Sequence, residues 1–216
     1  MAGRGPAPVL LYSVAHPAAP GAQMVAEHVT LDDDLRPRFL VRSPWGRVEV
    51  ALEARGAHQV GNALAALAVA ANEGVDLAGA AQALRDAPLS PMRMDLRRTR
   101  SGAAVLDDSY NANPASMAAA LHALRALPAG RRVAVLGLMA ELGERHREEH
   151  MAIADLAARL GIEVIAFGTA DYGPEPLDDP AAVADRIGPL GPHDAVLVKG
   201  SRVAALERVA TRLVKE

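Results

Sequence analysis

Apolar residues in the first third of the chain recur at two periods. Val48, Val50 and Leu52 alternate with polar neighbours across residues 47–53, the period-2 pattern of a strand with one wet face. Residues 38–42 read as its partner, and Ser43-Pro44-Trp45-Gly46 between them has the composition of a hairpin turn. Residues 9–14 form a third candidate strand. From His58 the period lengthens. Val60, Ala63, Leu64, Leu67, Ala68 and Ala71 fall on one face of a helix that Gly74 is placed to end. A second helix, capped by Asp76, carries Leu77, Ala80, Ala81 and Leu84 on one face. Pro88 and Pro91 break the pattern and mark a domain boundary.

Beyond Met94 short apolar runs alternate with helical stretches. Strands are predicted at 103–107, 132–137, 163–168 and 194–199, and helices at 114–127, 144–160, 180–187 and 203–214. Pro114 after Asn113 and Pro180 after Asp179 each place a first-turn proline behind a capping side chain. This alternation implies right-handed βαβ units and a parallel sheet. The expected fold is α/β: a region with antiparallel strands, then a Rossmann-like, mostly parallel sheet flanked by helices.

Composition supports this and removes several function classes. Half of the 216 residues are apolar but only 3% aromatic, so the core is built from Ala, Val and Leu, as suits helices on a parallel sheet. A net charge of -3 leaves no general footprint for nucleic acid or an anionic membrane. The absence of cysteine excludes disulfides and thiolate metal sites, and fits a reducing cytoplasm. No apolar run approaches the roughly 20 residues that span a bilayer. Residues 1–22 make a poor signal peptide, because their apolar stretch is short and continues as strand-like sequence. Lys199 and Lys215 are the only lysines, which isolates Lys199 from the C-terminal tail.

The chemistry gathers where strands end. Asp107-Asp108-Ser109-Tyr110-Asn111-Ala112-Asn113-Pro114 follows an apolar run directly, and ligands of open α/β sheets bind beyond such carboxyl ends. Gly137 to Gly143 and Lys199-Gly200-Ser201-Arg202 occupy the corresponding places after two further strands. Lys199 and Arg202 are suited to neutralise phosphate or carboxylate oxygens, and Gly200 to let backbone N–H groups approach an anion. Helix capping is the plainer account of some of these groups, and for Asn113 the two accounts stand level. His146-Arg147-Glu148-Glu149-His150 matches the H-x-x-E-H zinc pattern, yet reads equally as an acidic helix start with i, i+4 ion pairs, and no metal ligand is assigned. Neither G-x-G-x-x-G nor G-x-x-x-x-G-K-[ST] occurs.

Taken with His58-Gln59-Val60-Gly61-Asn62-Ala63-Leu64 and Val198-Lys199-Gly200-Ser201-Arg202, the Asp107 to Pro114 stretch resembles the Mur ligases of peptidoglycan synthesis. The match is to the branch that joins D-alanyl-D-alanine to UDP-N-acetylmuramoyl-tripeptide. The resemblance implies that residues 1–90 are the later part of a central ATPase domain without its P-loop, and 91–216 a C-terminal Rossmann-like domain. It implies a cytoplasmic, monomeric enzyme using ATP and Mg²⁺, with an acyl-phosphate intermediate. Carried over position by position, Asn62 contacts adenine and His58 shapes that helix start. Arg93 and Asp108 hold the ribose or phosphates. Asn111, Asn113 and Ser201 face the dipeptide, with Lys199 and Arg202 at the transferring phosphoryl group. The family usually has an acidic residue at the position of Leu138, which weakens the likeness of that loop, although Glu141, Leu142 and Gly143 match. Without the UDP-sugar domain and the P-loop, the chain is expected to be a fragment that is inactive alone. A non-catalytic nucleotide- or dipeptide-binding module is the alternative.

Overall fold

The structure is a computed structural model, and residues 9–14 and 18–215 are described. Of the segment 1–22 weighed as a signal peptide, residues 1–8 and 15–17 lie outside the described residues. The chain divides into two units, one ending at Pro88 and the other running from Leu89 and also taking in Asp33–Leu35.

The first unit is a four-stranded sheet covered by two helices. The strands, in spatial order, are β1 (Tyr12–Ser13), β2 (Met24–Leu31), β3 (Pro37–Ser43) and β4 (Gly46–Ala51). The expected hairpin is β3–β4, closed at Ser43 opposite Gly46. The Ser43 hydroxyl accepts the Trp45 N–H and donates to the Gly46 carbonyl. The strand expected at 9–14 pairs only over Tyr12–Ser13, and it runs parallel to β2. β2 itself has no periodic signature in the sequence. Its buried residues Met24, Val25 and Ala26 are consecutive, and a bulge between Glu27 and Thr30 with His28 at φ 55° destroys the alternation. Helices α1 (Gln59–Asn72) and α2 (Leu77–Arg85) bury Leu64, Leu67, Ala80 and Ala81 against Met24, Phe39, Val41 and Val50. Asp76 caps α2 by accepting the Gly79 N–H at 2.8 Å.

The second unit is a five-stranded sheet in the order β5-β6-β9-β7-β8. β5 (Asp95–Arg98) is an antiparallel edge; β6 (Ala104–Asp108), β7 (Arg131–Gly137), β8 (Glu163–Phe167) and β9 (Asp194–Lys199) are mutually parallel. β5 escapes prediction because Asp-Leu-Arg-Arg offers one apolar residue and an edge strand needs little more. Helices α3 (Pro114–Ala126), α4 (His146–Arg159), α5 (Pro180–Ile187) and α6 (Glu207–Lys215) complete the unit. The helices predicted from 144 and 203 open instead with 3-10 turns at Gly143–Arg145 and Arg202–Ala204. Val105, Val133, Val135, Val196 and Val198 lie wholly inside, which is why these strands read as unbroken apolar runs. The last strand in sequence, β9, lies between β6 and β7, with Lys199 in register with Asp108 on one side and Leu136 on the other. That topology, more than any local signal, builds the site.

Candidate functional site at the carboxyl ends of the parallel strands

Asp107 and Asp108 are neighbours in sequence but do not act as a carboxylate pair. Successive side chains of a strand point to opposite faces, so each takes different partners. Asp107 is buried; it receives Arg97 Nη2 at 2.6 Å and the N–H and hydroxyl of Ser109 at 3.2 and 2.6 Å. Asp108 Oδ2 accepts from Lys199 Nζ at 2.6 Å and its Oδ1 from the Met94 N–H at 3.1 Å. Both charges are therefore balanced internally.

Lys199 is the largest fully buried side chain described, only 2% exposed. Its ammonium also donates to the Asn111 carbonyl at 2.9 Å and, more weakly, to that of Asp108 at 3.4 Å. The protons that phosphate neutralisation would need are thus committed to Asp108 and the Asn111 turn. A buried ion pair of this kind is costly to break, because one uncompensated charge remains inside. Its structural effect is to tie the β9 end to the loop after β6.

Ser201 makes the next tie. Its N–H donates to the Leu138 carbonyl at 2.8 Å, its Oγ accepts the Ala140 N–H at 2.9 Å, and its hydroxyl lies 3.4 Å from the Ala112 carbonyl. Three strand-end loops are joined through this one buried residue. Gly200 serves packing here: a Cβ on it would lie 2.5 Å from Leu206 Cδ1 and 3.1 Å from Gly137 Cα. Leu206, fully buried, caps the two glycines, a contribution of about 1.5–3 kcal/mol by its burial alone.

Backbone strain gathers at these loops and at the segment before β5 that bonds to the β6 end. Met92, Met94, Glu141 and Ala205 hold φ of 59°, 52°, 66° and 48°, the left-handed region disfavoured for side chains other than glycine. Such residues cost on the order of 1–3 kcal/mol each and persist where surroundings over-determine them. Between two of them, Arg93 is exposed and stacks its guanidinium 4.1 Å from the centre of the Tyr110 ring. Arg202 is also exposed, reaching Glu207 at 3.0 Å and the Met92 sulfur at 3.4 Å. Asn113 caps α3: its Oδ1 accepts the Ser116 N–H at 2.8 Å and Ser116 Oγ accepts the Asn113 N–H at 3.0 Å, a full capping box. Asn111 turns its side-chain oxygen to the Ala112 N–H.

Of the expected site residues, Asp108, Asn111, Asn113, Lys199, Ser201 and Arg202 belong to the ends of β6 and β9 and the loops after them, while Arg93 lies in the segment leading into the antiparallel β5, whose start is opposite the β6 end. His58 and Asn62 lie at the start of α1 in the first unit, both exposed, with Asn62 donating to Gln59 Oε1 at 2.9 Å. The sequence missed the supports Arg97 and Leu206, which carry no local signal and reach the site only through the fold. The H-x-x-E-H residues do meet, as His146 and His150 lie together with Asp171. Both ring nitrogens of His150 are nevertheless engaged by backbone groups, so no lone pair is free for a metal.

A mostly parallel sheet whose central, last strand delivers a buried lysine and an exposed arginine to an Asp-Asp-Ser-Tyr-Asn-Ala-Asn-Pro loop defines an α/β domain of a particular build. Residues 92–216 match the family model described as Mur ligase, glutamate ligase domain, and the chain belongs to the Mur ligase family. Among its relatives is UDP-N-acetylmuramoyl-tripeptide--D-alanyl-D-alanine ligase of Mycobacterium tuberculosis, 40% identical over 223 residues that cover 87% of this chain and 44% of that one. The Escherichia coli protein of the same name is 36% identical over 186 residues, covering 81% and 41%. Among solved structures, MurF from Acinetobacter baumannii superposes with a TM-score of 0.80 at 28% identity, over 92% of this chain and 46% of that one. MurF from Thermotoga maritima, solved in complex with ADP, gives 0.77 at 25% identity, over 90% and 46%. The chain thus spans about half the length of the relatives it matches.

Proposed function

We propose that this chain forms the carboxy-terminal part of an ATP-dependent amide ligase of peptidoglycan precursor synthesis, joining D-alanyl-D-alanine to UDP-N-acetylmuramoyl-tripeptide. Residues 91–216 are its amine-substrate domain, and residues 1–90 the later part of its central ATP-binding domain. The observation that carries the reading is the Lys199–Asp108 lock between adjacent strand ends, in a chain of this family. It holds a loop of amides and hydroxyls beside two exposed arginines.

In the proposed reaction a carboxylate oxygen of the tripeptide attacks the γ-phosphorus of ATP, and ADP departs. The free amine of D-alanyl-D-alanine then attacks the acyl carbon, the C–O bond to phosphate breaks, and the amine proton passes to solvent. Such chemistry rests on positioning and charge neutralisation more than on a covalent enzyme group. Arg93, held flat on Tyr110, and Arg202 supply exposed positive charge for phosphate or carboxylate oxygens. Asp108 is oriented by Lys199 and the Met94 N–H toward the ribose or phosphates. Asn111, Asn113 and Ser201 shape the dipeptide side, and Lys199 acts through Asp108 and the Asn111 turn. Asn62 and His58 receive the adenine.

Mg²⁺, when bound, would supply positive charge against the phosphates of the nucleotide. Asp107 and Asp108, the carboxylates at the β6 end, are already neutralised by Arg97 and Lys199, so no residue of this chain is assigned to that ion. The triphosphate grip likewise falls to residues other than these, since no G-x-x-x-x-G-K-[ST] sequence is present.

Two experiments test the proposal. The chain alone, given ATP, the UDP-linked tripeptide and D-alanyl-D-alanine, is expected to release no phosphate above background. In calorimetry it is expected to bind ADP or the dipeptide, and silence with both would sink the reading. The binding-module alternative is separated by the coding frame before Met1. A G-K-[ST] loop there supports the ligase, and a stop codon directly upstream counts against it.

A further inference from the structure

Beneath the strand-end loops lies a polar cluster that the proposed reaction does not use. His150, on α4, is fully buried. Its Nε2 accepts the Met139 N–H at 2.9 Å; Nδ1 therefore carries the ring proton and donates to the His146 carbonyl at 2.7 Å. The ring makes an edge contact with Tyr172, 4.9 Å between centres, and the Tyr172 hydroxyl donates to the Gly137 carbonyl at 2.8 Å. On the outer side His146 Nε2 meets Asp171 Oδ2 at 2.8 Å, and the Thr169 hydroxyl donates to the same oxygen at 2.7 Å.

The connectivity gives this cluster a purpose. Met139 is the middle of three residues whose outer members both grip Ser201: Leu138 through its carbonyl and Ala140 through its N–H. Ser201 lies two residues beyond Lys199 and next to Arg202. Peptide planes are rigid, so Met139 cannot move far without disturbing at least one of those two contacts. A single imidazole lone pair, 11 residues further along the chain, thus fixes the arch on which the Lys199–Arg202 loop rests.

We propose that His150 is a positioning residue: as a neutral imidazole it pins the Leu138-Met139-Ala140 arch and, through it, Ser201 and the loop that carries Arg202. The coupling stands on these hydrogen bonds alone, and its bearing on ligand binding rests on the ligase reading above. Protonation is the natural way to interrupt it. A proton on Nε2 replaces the acceptor with a second donor facing the Met139 N–H, and the contact is lost. The titratable groups facing the ring are His146, Asp171 and Tyr172; Arg147 and Glu148 of α4 and His122 and Arg125 of the neighbouring α3 are solvent-exposed. Burial holds the His150 pKa below the ordinary histidine value, against the opposing pull of the His146 carbonyl and the Asp171 charge. The arch is therefore intact at neutral pH and released only as pH falls beneath that value.

Heteronuclear NMR of the full chain, wild type and two variants, tests this. In H150Q the amide oxygen replaces Nε2 as acceptor; H150N is too short to reach Met139. At pH 8, H150N is expected to speed exchange of the Met139, Ala140 and Ser201 amides about fivefold, the loss of one hydrogen bond, with H150Q close to wild type. Core amides at Val135 and Val196 report any general destabilisation and normalise the comparison. On acidification the wild-type Ala140 and Ser201 signals are expected to move in step with the His150 ring, and those of H150Q to stay still. Unchanged Ser201 exchange in H150N overturns the proposal, as does an acid transition at Ala140 and Ser201 that persists in H150Q. If the coupling is seen but neither ADP nor D-alanyl-D-alanine binds at any pH, the positioning role stands and the ligase reading fails.

Discussion

Asn62 and Lys199 both stand at the end of a regular element, and their surroundings differ in kind. Asn62, in the first turn of α1, is exposed and, among the described residues, held by the neighbouring Gln59. Lys199, at the end of β9, is buried and tied to partners 88 and 91 residues away. One is a surface group whose chemistry is available without being organised. The other belongs to a network completed by folding, in which strand order and strained backbone do the organising. In the proposed reading the second unit holds a preorganised site and the first a ligand-facing surface, so mutations in the two should separate stability from binding.

The largest effect is expected at the buried pair. Lys199→Ala leaves Asp108 charged and uncompensated, a loss of about 3–5 kcal/mol in the stability of the second unit. Hydrogen exchange at Val196 reads it directly, and K199M/D108N should recover part of the loss by removing both charges. Gly200→Ala comes next, since its Cβ would overlap Leu206 and crowd Gly137, costing about 1–3 kcal/mol by the same readout.

Asn113→Ala removes the α3 cap and should cost about 1 kcal/mol. Asn113→Ser keeps a capping oxygen and should restore it, so any dipeptide affinity lost in both variants belongs to the carboxamide and not to the cap. In the first unit the sign reverses. Gly61 lies inside α1, where an added Cβ would meet nothing within 4 Å. Gly61→Ala should therefore stabilise by about 0.5–1 kcal/mol, as thermal unfolding would show. Asn62→Ala is the smallest in stability, within about 0.5 kcal/mol. It should nonetheless weaken ADP binding about fivefold, the worth of one hydrogen bond. Equal losses of stability in N62A and K199A would erase the contrast between the units.

What can be read from the sequence follows the same division. The parallel strands are legible because burial on both faces leaves unbroken apolar runs such as Val196-Leu197-Val198. Helix starts are legible where a cap and proline coincide, at Asn113-Pro114 and Asp179-Pro180. β2 and β5 are not, the one because a bulge at His28 breaks its period, the other because an edge strand of Asp-Leu-Arg-Arg has no period to show. The Asp107 to Pro114 loop announces itself by its density of polar groups. Its internal wiring does not: adjacent carboxylates suggest a pair, whereas the pleat turns Asp107 to Arg97 and Asp108 to Lys199. The two histidines illustrate the same limit. Their spacing correctly places His146 and His150 together but cannot show that backbone groups occupy both nitrogens of His150. Sequence spacing reveals which residues share a face; which hydrogen bonds they make there depends on loops that only the sheet order brings close.

The central claim is that the strand ends of the second unit form a preorganised dipeptide site and the α1 start a nucleotide surface. Amide chemical shifts of the full chain, titrated first with D-alanyl-D-alanine and then with ADP, test it most directly. The expected dipeptide response centres on Asn111 to Asn113 and Lys199 to Arg202. ADP should add shifts at His58 to Asn62 and at Arg93. Dipeptide shifts that fall elsewhere, or a strand-end response unchanged when Arg202 is replaced by Ala, would contradict it.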